Sequence, residues 1–413
     1  MTLLQKFAVY LRRLPVFQLA PNRNWLLAVH QGAAVNYRTQ ILNADGTIAR
    51  PWSPWKRNLI LDQGLNKIGN GTKWASVFSQ AAVGTGTPVL RRDSGAVTFT
   101  QAGNTLTASA GFFVSGDVGK LFKWGTGTAG AEMYITGFTS ATVVTVSVSA
   151  TVGAPAVGTI WSVNLTGLVA EHARSGTYTQ AGGDNGSSFA VDTWSLWRTF
   201  IFAAEAGPVT LTEIGWSENP AAGANLFGLD LIAGVGDSLL AGQQYKVQVR
   251  LTVTFSPATP RAVADVGNNG FVTAGNDLAA YVGNNGGINT VNADGSSTTN
   301  PNVFDMGGTG TTYLITTAFA LPGASSTTNF MPAGQVAADT SNTWAAYTLG
   351  NFYRDLTSVF SIAVGNGNVY GLCIGPGNAN ASWCLAFTAT QTKTSTNRIT
   401  TVARFSWGRI LTN

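Results

Sequence analysis

The chain has 413 residues and a mass of 43.1 kDa, and 45% of its residues are hydrophobic while only 10% are charged. A soluble domain ordinarily carries about 25% charged residues, and helices depend on Lys, Glu and Arg for solubility, so this composition argues against a helical bundle. The 12 Trp, 21 Phe and 10 Tyr argue against a disordered chain, and the 49 Gly with abundant Thr and Ser favour a β-rich fold.

The amino-terminal segment is apolar, but it does not have the pattern of an export signal. Arg12 and Arg13 interrupt its hydrophobic run, and Pro15 follows directly. No stretch of the chain approaches the roughly 18 uncharged apolar residues that a membrane-spanning helix needs. We therefore expect no membrane insertion and synthesis in a cytoplasm.

Residues 33–50 predict a β-hairpin with its turn at residues 43–46 (NADG). An Asp-Gly pair between apolar strands is a strong turn signal, because both residues tolerate the backbone angles of a tight turn. Residues 58–69 follow, with Asp62 as the expected N-cap of a short helical turn.

The middle of the chain contains two further groups of predicted strands. Residues 94–163 alternate Val with Thr or Ser and predict a small β module with one apolar face. Residues 245–255 alternate without a break, which predicts a strand with one core-facing side and one wet side.

Residues 259–413 predict a carboxy-terminal β domain that begins with a Gly/Asn-rich stretch. Its two cysteines, Cys373 and Cys384, flank a turn-rich segment and could face each other across a hairpin. The favoured interpretation is that they are two small buried hydrophobic side chains. The fold class that the whole pattern predicts is all-β, with two antiparallel β-sandwich domains, the inserted module and few short helices. The first sandwich domain would comprise residues 1–93 and 164–258.

The positive charge is concentrated at the amino-terminal end. Residues 1–92 contain twelve basic residues but only two acidic ones, Asp45 and Asp62, although the net charge of the chain is only +5. Trp52 and Trp55 lie among these cations, a combination more typical of a protein interface than of a nucleic-acid site. The residues that we predict to dock the chain to another protein are Arg12, Arg13, Arg23, Lys56 and Arg57; nucleic acid is the less favoured partner.

The sequence has little that indicates catalysis. His30 and His172 are the only histidines, and no nucleophile elbow, phosphate-binding loop or zinc spacing accompanies them. We therefore expect no enzymatic activity, no cofactor and no metal. A pair of carboxylates could still hydrolyse a polysaccharide, which leaves a capsule depolymerase as a minor alternative. The candidate acids are Asp192, Glu205, Glu213, Glu218, Asp230 and Asp237.

Three segments together resemble structural proteins of tailed bacteriophages. Residues 58–65 (NLILDQGL) resemble their N-L-I-x-x-x-G-L segment, and residues 82–88 (AVGTGTP) resemble their G-T-G-x-x-x-P segment with a shorter spacing before the proline. Residues 211–216 (LTEIGW), with 225–227 (NLF) and 249–255 (VRLTVTF), are similar to their I-x-E-I-G and closing-strand pattern. The resemblance covers residues 58–257, interrupted by the module, whereas residues 259–413 match nothing in it.

The resemblance implies a β-sandwich virion protein of a tail fibre, collar, tail tip or capsid decoration, often homotrimeric, with no catalytic residues. We therefore expect a virion component that assembles as a homo-oligomer with other virion proteins through its basic amino-terminal region. An alternative is an adhesin for a host surface glycan, although most of its candidate aromatic residues are more readily interpreted as core. Those residues are Trp344, Tyr347, Tyr353 and Trp383.

Overall fold

Apolar side chains alternate with hydroxyl or amide side chains along much of this chain. This alternation favours β-strands, because successive side chains of a strand point to opposite faces. The computed structural model describes residues 23–72, 74, 76–125, 132–179, 184–190, 193–223, 225–232, 234–255, 264–265, 310–319, 333–338, 341–376, 383–396 and 398–411. The predicted docking residues Arg12 and Arg13 lie outside this set, as does most of the Gly/Asn-rich stretch.

Strands account for most of the regular structure in these ranges. The first half of the chain contains β1 (Arg23–Leu42), β2 (Ile48–Arg50), β3 (Lys56–Ile60), β4 (Gln80–Gly84), β5 (Arg91–Asp93), β6 (Phe99–Ala108), β7 (Leu121–Trp124), β8 (Glu132–Ser140), β9 (Val143–Ala156), β10 (Gly158–Trp161), β11 (Glu171–Ser175), β12 (Gly186–Ala190) and β13 (Thr193–Ile201). The second half contains β14 (Val209–Leu211), β15 (Glu213–Ser217), β16 (Gly228–Leu231), β17 (Asp237–Leu239), β18 (Gln244–Phe255), β19 (Ala264–Asp265), β20 (Gly310–Ile315), β21 (Gln335–Ala337), β22 (Ser341–Trp344), β23 (Tyr353–Phe360), β24 (Gly367–Pro376), β25 (Trp383–Lys393) and β26 (Ile399–Arg409).

The fold class is all-β, as predicted from the sequence. In the described part of the chain the single α-helix is α1 (Asp62–Gly69), accompanied by two 3-10 turns (Ser76–Phe78 and Ser115–Asp117). Asp62 is the first residue of α1 rather than its N-cap, which is Leu61. The N-cap prediction was therefore wrong by one residue.

The main sheet has 14 strands, and its central path runs β11-β4-β15-β16-β3-β1-β18-β13-β12. The predicted hairpin is confirmed: β1 pairs with β2 across the turn at residues 43–46, where Gly46 has a φ of +81°. The predicted alternation of β18 is also confirmed on its core side, since Tyr245, Val247, Val249 and Leu251 are buried.

A separate six-stranded sheet, in the order β5-β10-β7-β8-β9-β6, is built from residues 91–161. It has a hydrophobic core of its own, in which the rings of Phe99, Phe113 and Phe122 pack together. This sheet occupies nearly the same stretch as the predicted inserted module, and we call it the module.

The carboxy-terminal strands are divided between two sheets. β26 pairs in parallel with the first eleven residues of β1, so the last strand joins the main sheet beside the first. The remaining sheet, β21-β20-β24-β25, packs into the same main core through Leu314, Val369 and Leu372. Part of the predicted separate domain over 259–413 therefore shares the core of the amino-terminal unit.

The interpretation of the cysteines as unpaired side chains is wrong. Cys373 is disulfide-bonded, and its register partner Cys384 is the only other cysteine of the chain. The two lie directly opposite each other because β24 and β25 are antiparallel neighbours on either side of the turn-rich segment.

Candidate functional site

Several cations of the main sheet lie on the face opposite its core. In β1, Val35 and Tyr37 are fully buried on the core side. Asn36 and Arg38 alternate with them along the strand and therefore point to the other face. Residues directly paired across antiparallel strands point to the same side, so two rows cross this face. They are Arg57–Asn36–Arg250–Trp197 and Arg38–Gln248–Thr199. We call this surface, with Trp52, Trp55 and Lys246, the basic face.

Arg38 lies over two indole rings on the basic face. Its guanidinium carbon lies 4.7 Å from the ring centroid of Trp52 and 4.8 Å from that of Trp55. These contacts arise because the segment after the hairpin folds back over β1, with the amide of Ser53 donating to the carbonyl of Thr39 at 2.8 Å. The negative faces of the two rings attract the cation.

A hydrogen bond to Gln248 also orients the guanidinium of Arg38. Its Nε donates to Oε1 of Gln248 at 2.9 Å, and Nε2 of Gln248 donates to the carbonyl oxygen of Asp184 and to Oγ1 of Thr199, both at 2.9 Å. Gln248 is only 2% exposed, which differs from the wet side predicted for β18. The amide tolerates burial because its nitrogen and its oxygen both have partners.

One carboxylate lies close to this network. Asp184 forms an ion pair with Lys246 at 2.8 Å, and the ammonium of Lys246 lies 5.3 Å from the centroid of the Trp52 ring. Burial lowers the pKa of the Arg38 guanidinium, and the charge of Asp184 partly opposes that shift. Two cations, Arg38 and Lys246, therefore lie over the indole of Trp52, and Lys246 is also paired with the carboxylate of Asp184.

A cleft of about 630 Å³ borders the basic face at Arg57. Residues 57–60 of β3, residues 87–91 and residues 409–411 line it. Its far wall belongs to the module, where the guanidinium carbon of Arg91 lies 5.1 Å from the ring centroid of Trp161. The cleft thus lies where the main sheet, the module and the end of the last strand meet.

The residues after β26 connect the sheet to the module. The amide of Ile410 donates to the carbonyl of Ala33 at 2.9 Å, and Nη2 of Arg57 donates to the carbonyl of Ile410 at 2.7 Å. Nζ of Lys123, a module residue that is 1% exposed, donates to the carbonyl of Leu411 at 2.7 Å. Burial lowers the pKa of Lys123, while Glu132 acts in the opposite direction. We call residues 410–411 the carboxy-terminal strap.

Asp230, which also lines the cleft, has a strongly altered pKa. Burial raises the pKa of this carboxyl to about 7, although the hydroxyl of Tyr37 and the charge of Lys56 both lower it. The hydroxyl of Tyr37 also donates to the carbonyl of Leu231 at 2.9 Å. Burial therefore favours the protonated form of the Asp230 carboxyl.

Two of the segments that carry the phage resemblance, 82–88 and 211–216, meet at one buried carboxylate. Glu213 is fully buried, and its carboxylate accepts hydrogen bonds from the amides of Gly86 (3.0 Å), Val169 (2.9 Å) and Ala170 (2.7 Å). A side chain at Gly84 or Gly86 would collide with that carboxylate, with ideal Cβ positions 2.6 and 2.5 Å from its Oε1. These two glycines and this glutamate therefore depend on one another.

The described residues of the predicted docking set do not form one patch. Arg23 is the first residue of β1, and nothing is described of its side chain. Lys56 lies on the core side beside Asp230, whereas Arg57 lies on the basic face and reaches the strap. Sequence reasoning missed Arg38, although its position in the first strand of a hairpin that Trp52 and Trp55 follow is the signal that could have found it. Docking by the five predicted residues stays a prediction.

The aromatic residues proposed for glycan contact pack against other groups. The rings of Trp344 and Phe405 lie 5.2 Å apart, the hydroxyl of Tyr347 donates to Oδ1 of Asn66 at 2.6 Å, and Arg404 lies 4.0 Å from the centroid of the Tyr353 ring. The side chain of Trp383 in β25 lies outside the described ones. The structure does not bring the three described rings together as a single open platform, and glycan contact by them stays a prediction.

Three of the candidate acids for hydrolysis are paired with a basic side chain. Glu205 lies 2.9 Å from Nε2 of His172, Glu218 pairs with Lys67 at 2.9 Å, and Asp237 binds Arg50. Asp192 lies outside the described residues. Within the described ranges, no group of three or more His, Cys, Asp or Glu side chains could hold a metal ion.

Comparisons with family models, with curated proteins and with solved structures found no match for this chain. No helix among the described residues is long and apolar enough to cross a membrane.

Proposed function

We propose that this chain is a structural protein of a tailed-bacteriophage particle, part of a tail or capsid appendage that assembles through protein–protein contacts. The observation that carries the proposal is the convergence at Glu213. Two of the resembling segments, 82–88 and 211–216, are separated by more than a hundred residues of sequence and meet where the amide of Gly86 donates to the carboxylate of Glu213. The amides of Val169 and Ala170, in the loop that follows the module, bind the same carboxylate.

This convergence supports a fold shared with phage structural proteins, because the packing then explains why each of the converging positions has its particular amino acid. Gly84 and Gly86 leave room for the carboxylate, and Glu213 satisfies amides of two different loops. The insertion of the module between the second and third resembling segments, at residues 91–161, is consistent with a parent fold that tolerates an added β domain.

The basic face supports the docking part of the proposal. Arg and Trp are the residue types most enriched at the energetic centres of protein interfaces, and here they stand together on one side of the main sheet. A partly dehydrated guanidinium held by two rings loses little conformational freedom when a partner binds.

The proposal is tested by placing an affinity tag on the chain in a phage that encodes it, purifying infectious particles and identifying their proteins by mass spectrometry. The tagged chain should copurify with particles at a fixed copy number and remain after a high-salt wash. A chain that stays in the unassembled fraction of the lysate would refute a virion role.

A further inference from the structure

We propose that Arg38 is a carboxylate-binding site at the centre of the basic face, and that its partner is an extended acidic segment of another particle protein. This proposal deepens the docking role proposed above and rests on it. It concerns a residue that lies outside the five docking residues expected from the sequence.

The guanidinium of Arg38 is oriented before any partner arrives. Its carbon lies 4.7 Å from the ring centroid of Trp52 and 4.8 Å from that of Trp55, and Gln248 accepts from its Nε at 2.9 Å. Its two Nη groups make no hydrogen bond within the described ranges. They therefore present the outer edge of a planar fork, the geometry that binds a carboxylate with two parallel hydrogen bonds.

The neighbouring cations extend this site into a surface. Arg250 is exposed and lies on the adjacent strand, one row away from Arg38, and Arg57 lies on the other side of β1 in the same row as Arg250. Strands are about 4.8 Å apart and alternate residues about 7 Å apart. An extended segment with Asp or Glu at every second residue places its carboxylates at a similar spacing.

The arrangement of the rings favours an acidic protein segment over a nucleic acid or a sugar polymer. Binding of single-stranded nucleic acid uses open aromatic faces for base stacking. Here Arg38 covers one face of each indole, and Lys246 also lies over the ring of Trp52. The rings therefore serve to position cations, and the surface recognises charge.

The test measures binding of a synthetic peptide of alternating Glu and Thr to the whole chain by fluorescence anisotropy at constant ionic strength. A peptide with Gln in place of Glu is the uncharged reference. We expect the acidic peptide to bind and Arg38→Gln to weaken it about tenfold, as expected for loss of a charge-assisted pair. Arg38→Lys should weaken it nearly as much, because an ammonium cannot form the planar fork.

The matched control is Arg354→Gln. Arg354 also lies over an indole, with its guanidinium carbon 5.5 Å from the Trp344 ring, and its Nε also donates to an oxygen, the carbonyl of Ala345 at 3.0 Å. This variant should bind the peptide within about twofold of the unchanged protein. Trp55→Ala removes a ring that is 40% exposed, so it should fold normally and still weaken binding.

Three results would overturn the proposal. They are no binding of the acidic peptide by the unchanged protein, unaltered binding by Arg38→Lys and Trp55→Ala, or tighter binding of oligothymidylate or polygalacturonate than of the peptide. Each is independent of whether the chain copurifies with particles, so failure here is distinguishable from failure of the proposed virion role.

Discussion

Glu213 shows how one buried carboxylate can bind three backbone amides from two separate loops. Its oxygens accept from amides in the loop after β4 and in the loop before β11. A carboxylate offers acceptors only, so every backbone donor that faces it finds a partner. A Gln side chain, which has the same shape, would turn its NH₂ group toward at least one of those donors.

We therefore expect Glu213→Gln to lower the free energy of unfolding by about 2–3 kcal/mol, because it leaves a buried amide without an acceptor. Urea denaturation followed by tryptophan fluorescence measures this change. Glu218→Gln, whose side chain is 32% exposed in its pair with Lys67, should change stability by less than about 1 kcal/mol. If the two variants lost equal amounts of stability, the three hydrogen bonds of Glu213 would contribute no more to stability than the partly exposed pair of Glu218.

Asp230 predicts a pH dependence of stability. Its pKa in the folded chain is about 7, whereas an unfolded Asp titrates near about 3.9. The folded state therefore favours the protonated form, so the stability that Asp230 contributes is complete below pH ~4 and is lost as the pH rises through about 7.

Asp230→Asn should remove this dependence. The variant should unfold at a higher urea concentration than the unchanged protein at pH 8, by on the order of 1–2 kcal/mol, and the difference should shrink toward pH 5. Urea titrations at several pH values between 5 and 8 measure it. A constant difference across that range would mean that Asp230 does not titrate there.

At the scale of elements, the sequence predicted local structure well and long-range pairing poorly. The alternation of residues 245–255 and the turn at residues 43–46 depend only on neighbouring residues, and both were found. The parallel pairing of β26 with β1 joins residues at opposite ends of the chain, and no local pattern states which strand lies beside which. The same limit hid Gln248, whose burial depends on Asp184 and Thr199 in other segments.

The disulfide between β24 and β25 should stabilise the four-stranded sheet. Closing even a short loop removes conformations of the unfolded chain, so reduction should lower stability by about 2–3 kcal/mol. Thermal unfolding with and without dithiothreitol measures this effect. Cys373→Ala should unfold at the temperature of the reduced protein and should not respond to reductant; a response in that variant would assign the effect to another cause.

The carboxy-terminal strap should hold the module to the main sheet. Deleting residues 410–413 leaves the buried ammonium of Lys123 without its carbonyl acceptor and removes the acceptor of Arg57. We expect faster amide hydrogen exchange in β7 and β10 of the module, with little change in β18, because opening is local. Uniformly faster exchange in all three strands would mean that the deletion destabilises the whole fold instead.

At the scale of the whole molecule, sheets covered by hydroxyl and amide side chains suit a scaffold for contacts. With only 10% charged residues, such a surface can bury wide interfaces without removing many ions from water. On the basic face, where we propose that a partner docks, several cations lie together. The candidate site could be predicted from the sequence only in part, because the cations and the indoles were evident whereas their stacking depends on the fold-back of residues 51–55.

The most direct test of a virion scaffold role is to locate the chain in intact particles. Electron microscopy of purified particles, with gold particles bound to a tag at the carboxy terminus, gives that location. We predict label at one symmetric position on the tail or capsid surface of most particles. Particles that are infectious but carry no label, with the tagged chain found only in the soluble fraction, would contradict it.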